Sequence, residues 1–297
     1  MKNEIEKWKK RNLTLEGRVK VIKTLVLSKI IFTASLMKIP DGIVKDIKKI
    51  LFEYLWGGTD KVKRPVVVNS IDEGGLNMVD LDCFFTALKA AWVPRILDHT
   101  GKWKGILDNY LNKINLDIGY VLNMNFKSIK DFPILKNIPV FYQEVLISFN
   151  SVKNIIPLEK LSKQDFLQQS IFGNDLIKKN GKCIYFKGWL SLDIKYIKDV
   201  FDKNGNMKNA RYFYDKLEDK RSVLMELHFI RSIILKYSKH LDASLAKHVK
   251  SPTSEWVVHG NKRYNIQGKK CSFFYVLLKQ SKTGKNHMDK KIQAFRF

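Results

Sequence analysis

The sequence is poor in the residues that staple small folds. Three cysteines, Cys83, Cys183 and Cys271, are spread through 297 residues, with no Cys-x-x-Cys pair among them. That spacing excludes a disulfide framework and a closed zinc site, and marks the thiols as buried. The chain has no adjacent pair of aspartates, no Gly-x-Ser-x-Gly elbow and no Gly-x4-Gly-Lys phosphate loop, which removes the readable signatures of two-metal, hydrolase and P-loop chemistry. Long apolar runs are also missing. The longest, Leu25 to Met37, is interrupted by Lys29 and is too short to span a bilayer. No cleavable signal precedes it, so the expected location is nuclear or cytoplasmic.

Acidic residues are scarce in proportion. Asp plus Glu number 29 against 54 Lys plus Arg, a formal net charge of +25. Such an excess repels itself, and a polyanion that releases counterions on binding is the usual reason to tolerate it. Nucleic acid is therefore the expected partner, and a membrane is not. Hydrophobic residues make up 45% of the chain and aromatics 12%, enough to bury one large core or two smaller ones.

Pattern is clearest at the start. Thr14 can cap a helix from Leu15 or Glu16, and Gly17 to Leu36 is apolar enough to be largely buried. Arg18, Ile22, Leu25 and Lys29 follow i, i+4, i+7, i+11, so two cations bracket one apolar stripe. Ile39-Pro40-Asp41-Gly42 breaks this element. The next helix carries Ile43, Ile47, Ile50, Leu51, Tyr54 and Leu55 inward and Lys45, Lys48 and Lys49 outward, until Trp56-Gly57-Gly58 ends it. A basic loop, Thr59 to Pro65, leads to an extended run at Val66 to Val68. A turn at Glu73-Gly74-Gly75 precedes a helix from Asp80 to Val93, with Phe84, Leu88, Ala91 and Trp92 inside and Pro94 at its end.

Later segments are less periodic. Helical pieces punctuated by Pro133, Pro139 and Pro157 fill Gly101 to Lys160. A short hairpin is expected within Ile171 to Phe186, then a helix at Lys195 to Phe201, a turn at Asp202 to Asn206, and helices at Asn209 to Leu217 and Ser222 to Tyr237. His240 and His248 are spaced poorly for shared metal ligation. Most tryptophans read as core, with Trp256 the least constrained. The fold class is mainly α, divided as 1–98, a helical connector 99–170, and a C-terminal helical region 171–297 containing the hairpin.

The order of these pieces is informative. Trp8, Arg11, Leu13 to Val19, Val21-Ile22-Lys23, Ser28-Lys29-Ile30, Ile39-Pro40, Phe52, Leu55 to Gly58, Lys61 to Arg64, Glu73 to Leu76, Met78, Asp80, Ala87 to Ala90 and Trp92 closely resemble the segment that follows the palm in LINE-type (non-LTR) retrotransposon reverse transcriptases. Phe172-Gly173-Asn174, Ile177, Gly181-Lys182, Ile184, Trp189, Ile194, Tyr196 to Asp199 and Gly205, and then Lys269, Phe274-Tyr275 and Leu277-Leu278, are similar to downstream regions of the same polyproteins.

The resemblance implies a thumb-like helical bundle that grips a template–primer duplex of RNA and DNA, followed by an irregular helical region. Backbone phosphates would be held without reading sequence. The residues expected to do so are Arg18, Lys23, Lys29, Lys61, Lys63 and Arg64, with Arg18 first because its fork suits a phosphate. No catalytic and no metal-binding residue is assigned. The family's palm aspartates, which hold magnesium in the parent polymerase, and its endonuclease are not found in this sequence, so the chain is not expected to be an enzyme on its own and no cofactor is expected. Asp80-Leu81-Asp82 comes nearest to a carboxylate pair, but capping accounts for it and the two side chains should point apart. The alternative is a degenerate transposon remnant that acts only as a structural or protein-interaction domain.

Overall fold

A computed structural model describes residues 1–98, 101–153, 162–174, 177–202, 204–217, 220, 222–237, 255–259 and 262–283. The fold is mainly α, with two small antiparallel hairpins among the described residues. The chain forms two compact units, Met1–Pro94 with Gly268–Phe297, and Arg95–Gln267. These bounds differ from the three-way division expected from the sequence. The last described helix joins the first unit, because its apolar face is completed by residues near position 80, and the expected connector and hairpin regions share one unit.

The first unit comprises α1 (Lys2–Lys9), α2 (Leu15–Val21), a π-helical turn (Ile22–Val26), α3 (Ser28–Leu36), α4 (Asp41–Trp56), α5 (Arg64–Val68) and α6 (Leu81–Ala90), with α7 (Trp92–Leu97) beginning at its edge. Thr14 caps α2 as expected, its Oγ1 accepting from the Gly17 N–H. The π turn was not legible. It places the Leu27 N–H on the Ile22 carbonyl and adds a residue to one turn, so the i+4 register that joined Arg18 to Lys29 is lost. It also corrects the expected burial. Ile22, Val26 and Leu27 are fully buried, while Phe32 and Met37 face solvent, as does Ile43 at the start of α4.

Two other expectations fail for local reasons. Val66 to Val68 is helical, since Pro65 fits the first turn of α5 and among the described residues no strand pairs with the valines. The helix from Asp80 breaks at Ala91, before Pro94, which sits inside the first turn of α7.

The double glycine at 74–75 separates two demands. Gly74 adopts φ +75, the left-handed region. Gly75 is buried against backbone, where an added Cβ would lie 2.3 Å from the Asn69 carbonyl oxygen. Helix α15 (Cys271–Thr283) closes this unit over α6. Phe273, Phe274, Val276, Leu277 and Leu278 are buried. The Asp80 N–H donates to Tyr275 Oη at 3.0 Å, and Lys279 Nζ donates to the Val68 carbonyl at 2.7 Å.

The second unit contains α8 (Lys102–Asn112), α9 (Ile118–Asn123), α10 (Val140–Val152), α11 (Lys163–Leu167), β1 (Lys178–Lys179), β2 (Lys182–Cys183), α12 (Lys187–Ser191), α13 (Ala210–Tyr214), α14 (Val223–Tyr237), β3 (Trp256–His259) and β4 (Lys262–Asn265). The expected hairpin is β1–β2, turned by Asn180 and Gly181 at positive φ. The β3–β4 hairpin was not anticipated. Phe172-Gly173-Asn174 is a packing motif. Gly173, at φ +58, leaves 2.8 Å between an ideal Cβ and Met124 Sδ, and the fully buried Asn174 amide donates to the Ser170 carbonyl. Tyr120, also fully buried, accepts from the Phe172 N–H and donates to the Lys195 carbonyl.

The helix expected at Lys195 to Phe201 is a single 3-10 turn, Ile197–Val200, because Asp199 accepts the N–H groups of Lys195 and Tyr196 and so holds Tyr196 extended. On α14, Ile230 and Ile234 are buried and Leu224 is exposed. Lys153 ties α9 to α10. Its ammonium donates to the Leu122 carbonyl, to the Met124 carbonyl at 2.8 Å and to Asn150 Oδ1 at 2.7 Å. Burial pulls its pKa down to about 7, while one oxygen for each N–H favours the charged form. His240 and His248 lie outside the described residues.

Gly75→Ala is expected to destabilise the first unit by about 3 kcal/mol, because the obstacle is backbone that cannot rotate away. Gly74→Ala should cost only about 1 kcal/mol for its left-handed φ. Equilibrium denaturation of the two variants orders them; equal losses would contradict the close approach of Gly75 to the Asn69 carbonyl.

Candidate nucleic-acid interface

A helix C-terminus leaves carbonyls without intrahelical donors and carries partial negative charge. At the end of α4 this demand is met from α2. Arg18 Nη1 donates to the carbonyls of Leu55 at 3.1 Å and Tyr54 at 3.4 Å. Gly57 follows in the left-handed conformation, φ +70, the usual glycine stop. An ideal Cβ on Gly57 would stand 3.4 Å from Arg18 Nη1, so the small residue also leaves room for the guanidinium.

The chain then crosses to α5, where Arg64 is held on two sides. Its Nε donates to Asp60 Oδ2 at 2.8 Å, and its guanidinium lies 4.7 Å over the Phe52 ring. These two ordered arginines line one cavity of about 1010 Å³ with Lys9 of α1 and Lys49 of α4. Glu53, Tyr54, Gly57, Gly58, Thr59 and Asp60 complete its wall. Four cations against two carboxylates leave the lining positive.

The six residues singled out from sequence are thus divided. Arg18 and Arg64 share the groove. Lys61 and Lys63 are exposed on the loop beside Arg64, outside the lining. Lys29 is exposed on α3 and does not line it, which corrects the expectation that Arg18 and Lys29 act on one face; the π turn is the reason. Lys23, on that turn, is half-buried. Burial, and then the charge of Lys279, lower its pKa to about 8. Lys9 and Lys49 were missed. Lys49 had the signal of an outward lysine on a long amphipathic helix, whereas Lys9 gave none, since its place depends on how α1 folds back.

No protein-family model matches the chain. Among the described residues no group of three or more His, Cys, Asp or Glu is placed to hold a metal ion. Asp80 caps α6 by accepting the N–H groups of Asp82 and Cys83. Asp80 and Asp82 have different principal partners, Lys282 at 2.8 Å from Asp80 and Lys48 at 2.8 Å from Asp82, with Lys282 also 3.9 Å from Asp82. Burial would raise the Asp80 carboxyl, but Lys282 and the Cys83 N–H hold it below its ordinary value. Burial, and the neighbouring Asp80 charge, push the Cys83 thiol up to about 12, which keeps it protonated and unreactive. Among these residues no helix is long and apolar enough to cross a membrane. Trp189 is core, 4.7 Å from the Phe213 ring, and Trp92 is buried, but Trp103 joins Trp256 in facing solvent.

The Lys23 shift has a definite sign. Its folded pKa lies below the unfolded value of 10.5, so the unfolded state holds more protons between these values and this lysine's destabilising contribution fades as pH rises through that window. Lys23→Met should therefore melt higher than the native chain at pH 7, with the gap closing as pH rises from about 8 to about 10. Paired thermal melts decide it; a gap independent of pH would contradict the burial assignment.

Proposed function

We propose that the chain is a nucleic-acid-gripping module related to the post-palm region of LINE-type reverse transcriptases. It holds a template–primer duplex of RNA and DNA through backbone phosphates, in the nucleus or cytoplasm, while bond-making belongs to the palm of the parent polymerase. The observation that carries this reading is that Arg18 and Arg64, each held by its own partners, both line one positive groove. Guanidinium groups fixed before a phosphate arrives lose little freedom on binding it. The net charge of +25 and the resemblance over the first ninety-five or so residues support the same reading, and the exposed Lys61 and Lys63 extend the positive surface beside the groove.

The same contacts support a second reading. Arg18 already satisfies helix carbonyls and Arg64 already meets Asp60, as they would in a scaffold that binds nothing.

Fluorescence titration of an RNA–DNA hybrid at several salt concentrations separates the two. A phosphate grip predicts affinity that falls steeply with salt, and Lys61→Ala with Lys63→Ala should flatten the log–log slope by about 2, near 0.9 for each phosphate no longer neutralised. Affinity indifferent to salt, or a slope unchanged in the double variant and in Lys49→Ala, would favour the scaffold.

A further inference from the structure

Helix α8 of the second unit is amphipathic in an unusual way. Leu107 and Leu111 are fully buried, which accounts for its inner face. On another side Trp103, Ile106 and Tyr110 follow i, i+3, i+7 and are 43%, 45% and 38% exposed. Val140, the first residue of α10, is 65% exposed, and the Phe141 ring lies 6.0 Å from that of Trp103. The result is an apolar ridge two helical turns long, extended at one end by α10. Scattered exposed apolar residues are ordinary, but a contiguous ridge at helical spacing marks a contact surface.

Charge narrows the occupant. Exposed Lys102 and Lys113 stand at the two ends of the helix, with Lys113 Nζ 5.6 Å from the Tyr110 ring centroid. The single carboxylate of α8, Asp108, is held by Lys104 at 2.8 Å. The ridge therefore presents apolar side chains between cations. A second copy of the chain is disfavoured, because each carries a net charge of +25. A single nucleic-acid strand would use rings as stacking platforms, yet aliphatic Ile106 sits between the two aromatics and Val140 lies at the border. Side chains three and four residues apart instead form the ridge that packs into the groove of another helix.

We propose that this face of α8 docks an acidic amphipathic helix of a protein partner, with Trp103, Ile106 and Tyr110 as the apolar anchors and Lys102 and Lys113 meeting carboxylates at the two ends. This is independent of the groove in the first unit and of the reading given to it.

The test uses the full chain and a synthetic helix of roughly 20 residues, with leucine on one face and glutamate elsewhere. A peptide of the same composition with the pattern scrambled is the control. Binding is read by anisotropy of the labelled peptide and by the emission shift of tryptophan. The patterned peptide should bind about tenfold more tightly than the scrambled one, and Ile106→Ser and Tyr110→Ser should each lose about tenfold at unchanged charge. Lys102→Glu with Lys113→Glu should weaken it further, whereas Asn109→Ser should bind as the native chain does. Circular dichroism of each variant separates impaired docking from impaired folding; should Ile106→Ser unfold, Ile106→Ala replaces it. Equal affinity for the scrambled peptide, or an unchanged Ile106 variant, would overturn the proposal. So would an oligouridylate that displaces the patterned peptide and itself loses affinity in Ile106→Ser, which would make the ridge a base-stacking surface.

Discussion

The first unit depends on a closure between distant parts of the chain. Tyr275 and Lys282 meet Asp80 across 195 and 202 residues of sequence, and bringing such ends together costs entropy that only a substantial contact offsets. The apolar residues of α15 supply most of it by burial against α6. The polar contacts act differently. Asp80 caps α6 with its side chain, donates its N–H to Tyr275 and accepts from Lys282, so one residue fixes where the closing helix sits along its partner. What looks in sequence like the beginning of a carboxylate site is the registration point of the unit.

The groove shows the same economy elsewhere in that unit. A helix end that needs donors, a glycine that ends the helix, and an arginine from a neighbouring helix satisfy one another. The consequence is a guanidinium held at the wall of a cavity whose lining includes a second one, ordered by a ring and a carboxylate. Positive charge placed in this way is preorganised, unlike that of exposed lysines, whose side chains must be immobilised by whatever they bind.

Local chemistry explains what was legible. Thr14 and Asp80 begin helices through hydrogen bonds within a few residues, Pro40 and Gly57 bound α4 by their own backbone conformation, and Asn180-Gly181 turns a hairpin by itself. The sites that depend on distant partners were harder. A π turn carries no residue signature, yet at Ile22–Val26 it separates Lys29 from Arg18. Val66 to Val68 has strand-like side chains, yet among the described residues no strand pairs with it. Half of the groove was visible, because Arg18 and Arg64 sit in patterned segments, whereas Lys9 enters only through the packing of α1. The solvent-facing ridge of α8 was hidden because an apolar residue at helical spacing reads as core until the neighbouring elements are placed.

A unit made from Met1–Pro94 and Gly268–Phe297 is interrupted by the 173 residues Arg95–Gln267. On a ribosome that arrangement sets an order of events. The interrupting unit has all of its sequence before α15 is made, while the first ninety-four residues wait, at roughly 5–20 residues per second, for roughly 9 to 35 seconds. During that interval the α6 surface that α15 covers stays open to water, to chaperones and to other nascent chains. Synthesis of α15 is therefore the event that ends the exposure of this face to misassembly.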